Sequence, residues 1–168
     1  MKIGLIGLGT VGSGVYDILT TNESIIKNNV MDDITIKTIC VKDIEKNRDI
    51  ETTGVEMTDN MEDILADPEI DIVVEVMGGI EQSKKLILEA FKRGKHVVSA
   101  NKDLIALHGR ELAEVAAKNN CHFQYEASVC GAIPIMKSLN HALVGNNLKK
   151  IGGIVNGSTN YILTRTEL

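Results

Sequence analysis

Three glycines near the start of the chain, in Gly7-Leu8-Gly9-Thr10-Val11-Gly12, have the spacing of a loop that holds a diphosphate. Their roles differ. Gly7 allows a tight turn, Gly9 lets a phosphate approach bare backbone, and Gly12 lets a helix lie close to a strand. Alone the pattern is weak. Its setting makes it specific, because a β-rich apolar run over 2–6 precedes it and an amphipathic helix opens at Val11. The free N–H groups of that first turn and the positive end of the helix dipole then face the phosphates. A glycine turn with no ligand is the bland alternative.

The end of the second strand should meet the adenine ribose, where an acid chelates the hydroxyls of NAD and a base accepts the 2′-phosphate of NADP. The sequence there reads Val41-Lys42-Asp43, with Arg48 a little further on. Lys42 and Arg48 lean toward NADP and Asp43 toward NAD, and solvated loop charges are the alternative to both. The choice stays open at this level. Cys40, Cys121 and Cys130 form no CxxC pair, and His96, His108, His122 and His141 share no metal-ligand spacing. Glu75 interrupts an apolar run over 70–79 and reads as a hydrogen-bonded structural acid.

The elements that must carry these residues alternate. Val11, Val15, Ile18 and Leu19 form a helical stripe, and 34–41 reads as a second strand. Residues 42–56 form a polar loop with room for a short strand, and 60–66 is a short helix stopped by Asp67-Pro68. The run over 70–79 suits a strand covered on both faces. A helix through Leu86, Ile87, Ala90 and Phe91 ends at Gly94, followed by a strand over 95–99. A helical segment over 102–118, open to interruption near Gly109, leads to a strand over 122–126. Pro134 starts a helix through Ile135, Met136 and Leu139 that stops near Gly145. Such alternation predicts an α/β fold, a doubly wound parallel sheet of Rossmann type. The last stretch, "GGIVNGSTNYILTRTEL", predicts a strand, a turn, and a helix from about Asn160 with no C-cap, so the chain is expected to be a fragment of a longer protein.

Composition sets the remaining bounds. Eighteen basic and 23 acidic side chains give a net charge of −5, and they are interspersed. Nucleic acid is therefore not expected as a partner, since phosphate backbones need clustered Lys and Arg. No apolar run approaches the ~20 residues that span a bilayer, and no signal-peptide pattern is present. With aromatics at 3% and no Trp, the core must be aliphatic. The cysteine usage suits a reduced, cytoplasmic setting.

Four further stretches carry a resemblance: "EVMGG" (75–79), "VVSANKDLIA" (97–106), "YEASVCGAIPIMKSL" (125–139) and "GIVNGSTNYIL" (153–163). Together and in this order behind GLGTVG, they resemble homoserine dehydrogenase over essentially the whole chain. The resemblance implies an NAD(P)-binding domain over 1–133 and, over 134–168, a connecting helix and the start of an α+β substrate and dimerisation domain. It implies reversible hydride transfer between NAD(P)H and L-aspartate 4-semialdehyde, giving L-homoserine on the way to threonine, methionine and isoleucine. It also implies a homodimer for the full-length protein.

That reaction needs a rigidly held cofactor and a cation or acid beside the oxygen that gains charge. The family's functional lysine maps to Lys102, after the strand that ends at Ser99. By the same resemblance Ser99 and Asn101 line the nicotinamide side, and Met77 and Gly78 contact the cofactor's ribose or ring. The family also holds a monovalent cation, assigned as sodium, whose ligands map to Glu126, Val129, Gly131 and Ile133, mostly through backbone carbonyls. Cys130 stands where relatives commonly have Gly. No thiol nucleophile is needed for hydride transfer, so the cysteines are assigned to packing. The family's acidic substrate ligands and second lysine fall beyond residue 168, so the chain alone is expected to bind cofactor and to be catalytically incomplete. The rivals are another amino-acid-pathway dehydrogenase, on aspartate or aspartate semialdehyde, and a regulatory NAD(H)-sensing module.

Overall fold

The computed structural model describes residues 1–48, 50–154 and 156–166. Val155 of the "GIVNGSTN" stretch, Asp49 and the last two residues lie outside the described set. The chain divides into two compact units, Met1–Tyr125 and Glu126–Leu168.

The first unit is built on six strands: β1 (Lys2–Ile6), β2 (Thr35–Cys40), β3 (Glu56–Thr58), β4 (Ile72–Glu75), β5 (His96–Ser99) and β6 (Phe123–Gln124). They pair in the order β3-β2-β1-β4-β5-β6, and every pairing is parallel. The order reverses between β1 and β4, which opens a crevice beyond the carboxyl ends of the central strands. The helices between strands are α1 (Thr10–Thr21), α2 (Glu23–Val30), α3 (Met61–Leu65), α4 (Glu81–Lys92) and α5 (Lys102–Lys118).

Side chains alternate along the strands and build two aliphatic cores, one per face. Ile3, Leu5, Ile39 and Val74 pack with Tyr16 of α1. Ile6, Val73 and Val97 pack with Ile64 of α3, with Leu86, Ile87 and Phe91 of α4, and with Leu104 and Leu112 of α5. Burying each such side chain contributes about 1.5–3 kcal/mol. Phe91 and Phe123 meet edge to face with centroids 5.5 Å apart. Gly94 ends α4 at φ 74, and Lys95 N–H returns to the Ala90 carbonyl at 3.0 Å.

Five local expectations change. Helix α2 was not expected, and none of its residues is buried, so no core-facing stripe marks it. Helix α5 runs unbroken through Gly109, because Leu104, Leu112 and Ala116 anchor one buried face on both sides of it. In the second unit the helix expected after Pro134 is shorter. A 3-10 turn at Glu126–Ser128 leads to α6 (Ile135–Lys137) and a wider π turn over Ser138–Ala142. Residues 151–154 form no strand, since no strand of this unit, among the described residues, is there to pair with them. The last helix, α7 (Gly157–Thr166), starts three residues before Asn160. Asn156 explains the shift: its side-chain oxygen accepts from Thr159 N–H at 2.7 Å and caps the first turn.

Candidate active site

The glycine loop runs from the end of β1 into α1. Gly7 has φ 104, and a Cβ there would lie 2.8 Å from the Val76 carbonyl oxygen, so turn geometry and packing both require glycine. Gly12 is buried in the first turn of α1. Gly9 occupies the N-cap, and a Cβ built on it would meet nothing within 4 Å. It makes no packing contact that excludes a side chain, and it faces the open crevice. No side chain caps this helix, so its first N–H groups are left for a ligand.

A cleft of about 1400 Å³ opens over this loop. Gly7, Leu8, Gly9 and Thr10 line one part, with Ser13 and Asp17 of α1 beside them. Met77, from the turn after β4, closes another side. The remaining wall follows β2 and comprises Val41, Lys42, Asp43, Lys46, Asn47 and Arg48. A smaller neighbouring cleft of about 360 Å³ includes Lys42, Met77 and Gly78. Val11 is exposed on α1, and Gly12 is enclosed, so neither lines the larger cleft.

The wall after β2 has an internal order that the sequence did not reveal. The Asp43 carboxylate accepts from Lys46 N–H at 3.1 Å, and its carbonyl accepts from the Arg48 guanidinium at 2.6 Å. Arg48 also reaches the Lys46 carbonyl at 2.8 Å. Asp43 therefore braces its own loop, while Lys42 and Lys46 are exposed along the cleft. Lys46 and Asn47 were missed by sequence reasoning. Their signal is position alone, in the loop after the second strand. Cys40 lies beneath, its thiol pushed up to about 11 mainly by burial, which leaves it protonated and unreactive at neutral pH.

One strand further along, Lys102 is the first residue of α5 and is exposed at the carboxyl edge of the sheet. Asn101 caps that helix through its side-chain oxygen and Leu104 N–H at 3.2 Å. Ser99 is fully buried, and its hydroxyl donates to Glu75 at 2.8 Å. Gly78 and Gly79 take φ 78 and 80 in the turn that follows Met77.

In the second unit, Glu126, Val129, Gly131 and Ile133 fall within one compact turn. Both Glu126 carboxylate oxygens are committed, accepting from Met136 N–H at 2.9 Å and Lys137 N–H at 2.8 Å. This carboxylate caps α6. The Glu126 carbonyl accepts from Val129 N–H at 3.0 Å. Cys130 and Ala132 adopt φ 49 and 63, conformations that glycine takes more readily. Among the described residues no group of three or more His, Cys, Asp or Glu side chains could hold a metal ion.

A six-stranded parallel sheet in this order, with a bare glycine N-cap at the reversal point, defines a dinucleotide-binding α/β domain. Comparison with known proteins narrows the class. The family model described as "Homoserine dehydrogenase, NAD binding domain" matches residues 7–126, and that described as "Homoserine dehydrogenase" matches 134–168. The homoserine dehydrogenase of Bacillus subtilis is 44% identical over 165 residues, and that of Synechocystis is equally so. A crystal structure of a homoserine dehydrogenase from Thiobacillus denitrificans superposes with a TM-score of 0.90 at 38% identity over 99% of the chain. A hyperthermophilic archaeal homoserine dehydrogenase in complex with NADPH superposes at 0.78 with 26% identity over 98% of the chain. The chain belongs to the homoserine dehydrogenase family and carries its NAD-binding domain. The Bacillus match covers 98% of this chain and 38% of that relative.

Proposed function

We propose that the chain is the cofactor-binding part of an enzyme that interconverts L-aspartate 4-semialdehyde and L-homoserine. The observation that carries this is the placement of the bare Gly9 N-cap and of Lys102 on one carboxyl edge of one sheet. Gly7, Gly9 and the first turn of α1 would hold the diphosphate. Met77, Gly78 and Asn101 would flank the nicotinamide, which when bound supplies the hydride. Lys102 places an ammonium group beside the aldehyde oxygen, offsets the charge that grows there, and delivers the proton that completes the alcohol.

Support for NADP(H) over NAD(H) comes from the wall after β2. One Asp43 carboxylate oxygen accepts from Lys46 N–H within its own loop, and Lys42 and Lys46 leave positive charge where a 2′-phosphate would lie. Glu126, Val129, Gly131 and Ile133 would hold a sodium ion, mostly through backbone carbonyls, since hard oxygen donors in a turn suit a hard cation. The complete protein, with its substrate domain, is proposed to be a cytoplasmic homodimer acting on a small molecule, with no nucleic-acid or membrane partner. No helix among the described residues is long and apolar enough to cross a membrane. The chain by itself would bind cofactor and turn over little or no homoserine.

Replacing Lys102 with Ala in the complete protein tests the reading. Homoserine oxidation should fall by about 10²–10⁴-fold while the cofactor dissociation constant stays within a factor of about two. An unchanged rate would remove Lys102 from the chemistry.

A further inference from the structure

Glu75 ends β4, the central strand beside the reversal point, and is fully buried. A carboxylate in such a place is costly unless donors surround it. Three do. Its Oε1 accepts from Met77 N–H at 3.1 Å and from the Ser83 hydroxyl at 3.0 Å, and its Oε2 accepts from the Ser99 hydroxyl at 2.8 Å. Each donor belongs to a different segment: the turn after β4, the first part of α4, and the end of β5.

The links continue outward to the cleft. Asn101 N–H donates to the Ser99 hydroxyl oxygen at 3.1 Å. The Asn101 amide nitrogen donates to the Gly79 carbonyl at 2.5 Å and to the Ser83 hydroxyl at 3.3 Å. Ser83 also lies 3.2 Å from the Gly78 carbonyl. The direction of these bonds is uniform along one branch: Asn101 N–H to Ser99, then Ser99 to Glu75. Glu75 is the acceptor at the end of that branch, while the bonds to the Gly78 and Gly79 carbonyls end on the turn itself.

We propose that Glu75 is a positioning residue, a buried clamp that fixes the turn at 76–80 against the first turn of α5 and so sets where Lys102 stands relative to Met77 and Gly78. The proposal rests on the reading that these two turns flank the nicotinamide. The geometry favours this role over plain core filling, since leucine or methionine would fill the space with no link to Asn101. The gap bridged is short in space and long in sequence, from Gly79 to Asn101. A displacement of about 1 Å at a catalytic group is enough to cost about a hundredfold in rate.

The test uses the complete protein and the variants Glu75→Gln and Ser83→Ala. Glutamine keeps the size and one acceptor but turns an amide donor toward Met77 N–H or toward Ser99. Amide hydrogen exchange at Met77 and Asn101, measured without ligand, should accelerate in Glu75→Gln. The turnover number should fall by about a hundredfold, with the cofactor dissociation constant within about threefold. In a Lys102→Ala background the same change should lower turnover no further. Unaltered exchange, or accelerated exchange with undiminished turnover, overturns the proposal. A full additional loss in the Lys102→Ala background overturns the coupling to Lys102. If Glu75→Gln does not fold, Ser83→Ala decides on the same readouts, with about a tenfold fall in turnover expected. A Lys102→Ala enzyme of normal rate would sink the functional reading of that lysine, an outcome separate from a Glu75→Gln enzyme of normal rate.

Discussion

A Cβ on Gly12 would sit 2.0 Å from the carbonyl oxygen of Gly7, so the last glycine of the loop is fixed by the first. No rotamer relieves that clash, because both atoms belong to backbone-defined positions. Gly9, between them, meets nothing. Gly12→Ala should therefore destabilise the fold by several kcal/mol, as overpacking of about 1–3 kcal/mol is exceeded when backbone must move. Gly9→Ala should leave the thermal midpoint within a degree or two of the parent while weakening cofactor binding more than about tenfold, since its methyl would enter the space left for phosphate. Thermal unfolding together with cofactor titration separates the two.

Lys42 should read the extra phosphate of NADP(H). Its replacement with Ala should weaken NADPH binding by about 10–100-fold, the value of a charge-assisted hydrogen bond of about 1.5–3 kcal/mol. NADH binding should change little. Fluorescence titration with both coenzymes checks this, and equal losses for the two would place Lys42 away from the ribose phosphate.

The opposite edge of the sheet gives a pH signature. Lys37 pairs with Asp67 at 2.5 Å and Glu69 at 2.6 Å, and Lys2 joins Glu69 at 2.8 Å. The hydrogen bond from Lys37 holds Asp67 below its ordinary 3.8, and those from Lys2 and Lys37 hold Glu69 below its ordinary 4.5. Groups with depressed folded values stabilise fully above the unfolded values and lose that contribution as pH falls through the folded ones. Lys37→Met should thus lower the thermal midpoint at pH 7, and the difference from the parent should shrink toward zero below about pH 3. A difference that stays constant down to that pH would show that packing of the Lys37 stem, not its charge, is what matters.

The parts of this fold that were legible share a cause. Gly7 and Gly12 answer backbone demands that only glycine meets, and Gly9 leaves bare space at the N-cap, so their spacing carries the loop. The strands β1, β4 and β5 are covered on both faces and read as apolar runs. Glu75 was legible as a structural acid, yet its partners were not. Ser83 and Ser99 lie eight and 24 residues away, and only the strand register that sets Glu75 beside Ser99 brings them together. The role of Asp43 stayed open because a sequence cannot show that its carboxylate accepts from Lys46 N–H. The same limit applies to Asn156, whose capping of Thr159 moves the start of α7.

The Lys2, Lys37 and Lys95 anchors all sit at the amino edge of the strands, where Lys95 binds the carbonyls of Asp67 and Ile70 at 2.5 and 2.8 Å. The glycine loop, Lys42, Met77 and Lys102 sit at the other edge. Robustness and reactivity thus occupy opposite poles of one scaffold. Evolution or an engineer can harden the first pole, for hotter or saltier surroundings, without retuning the second.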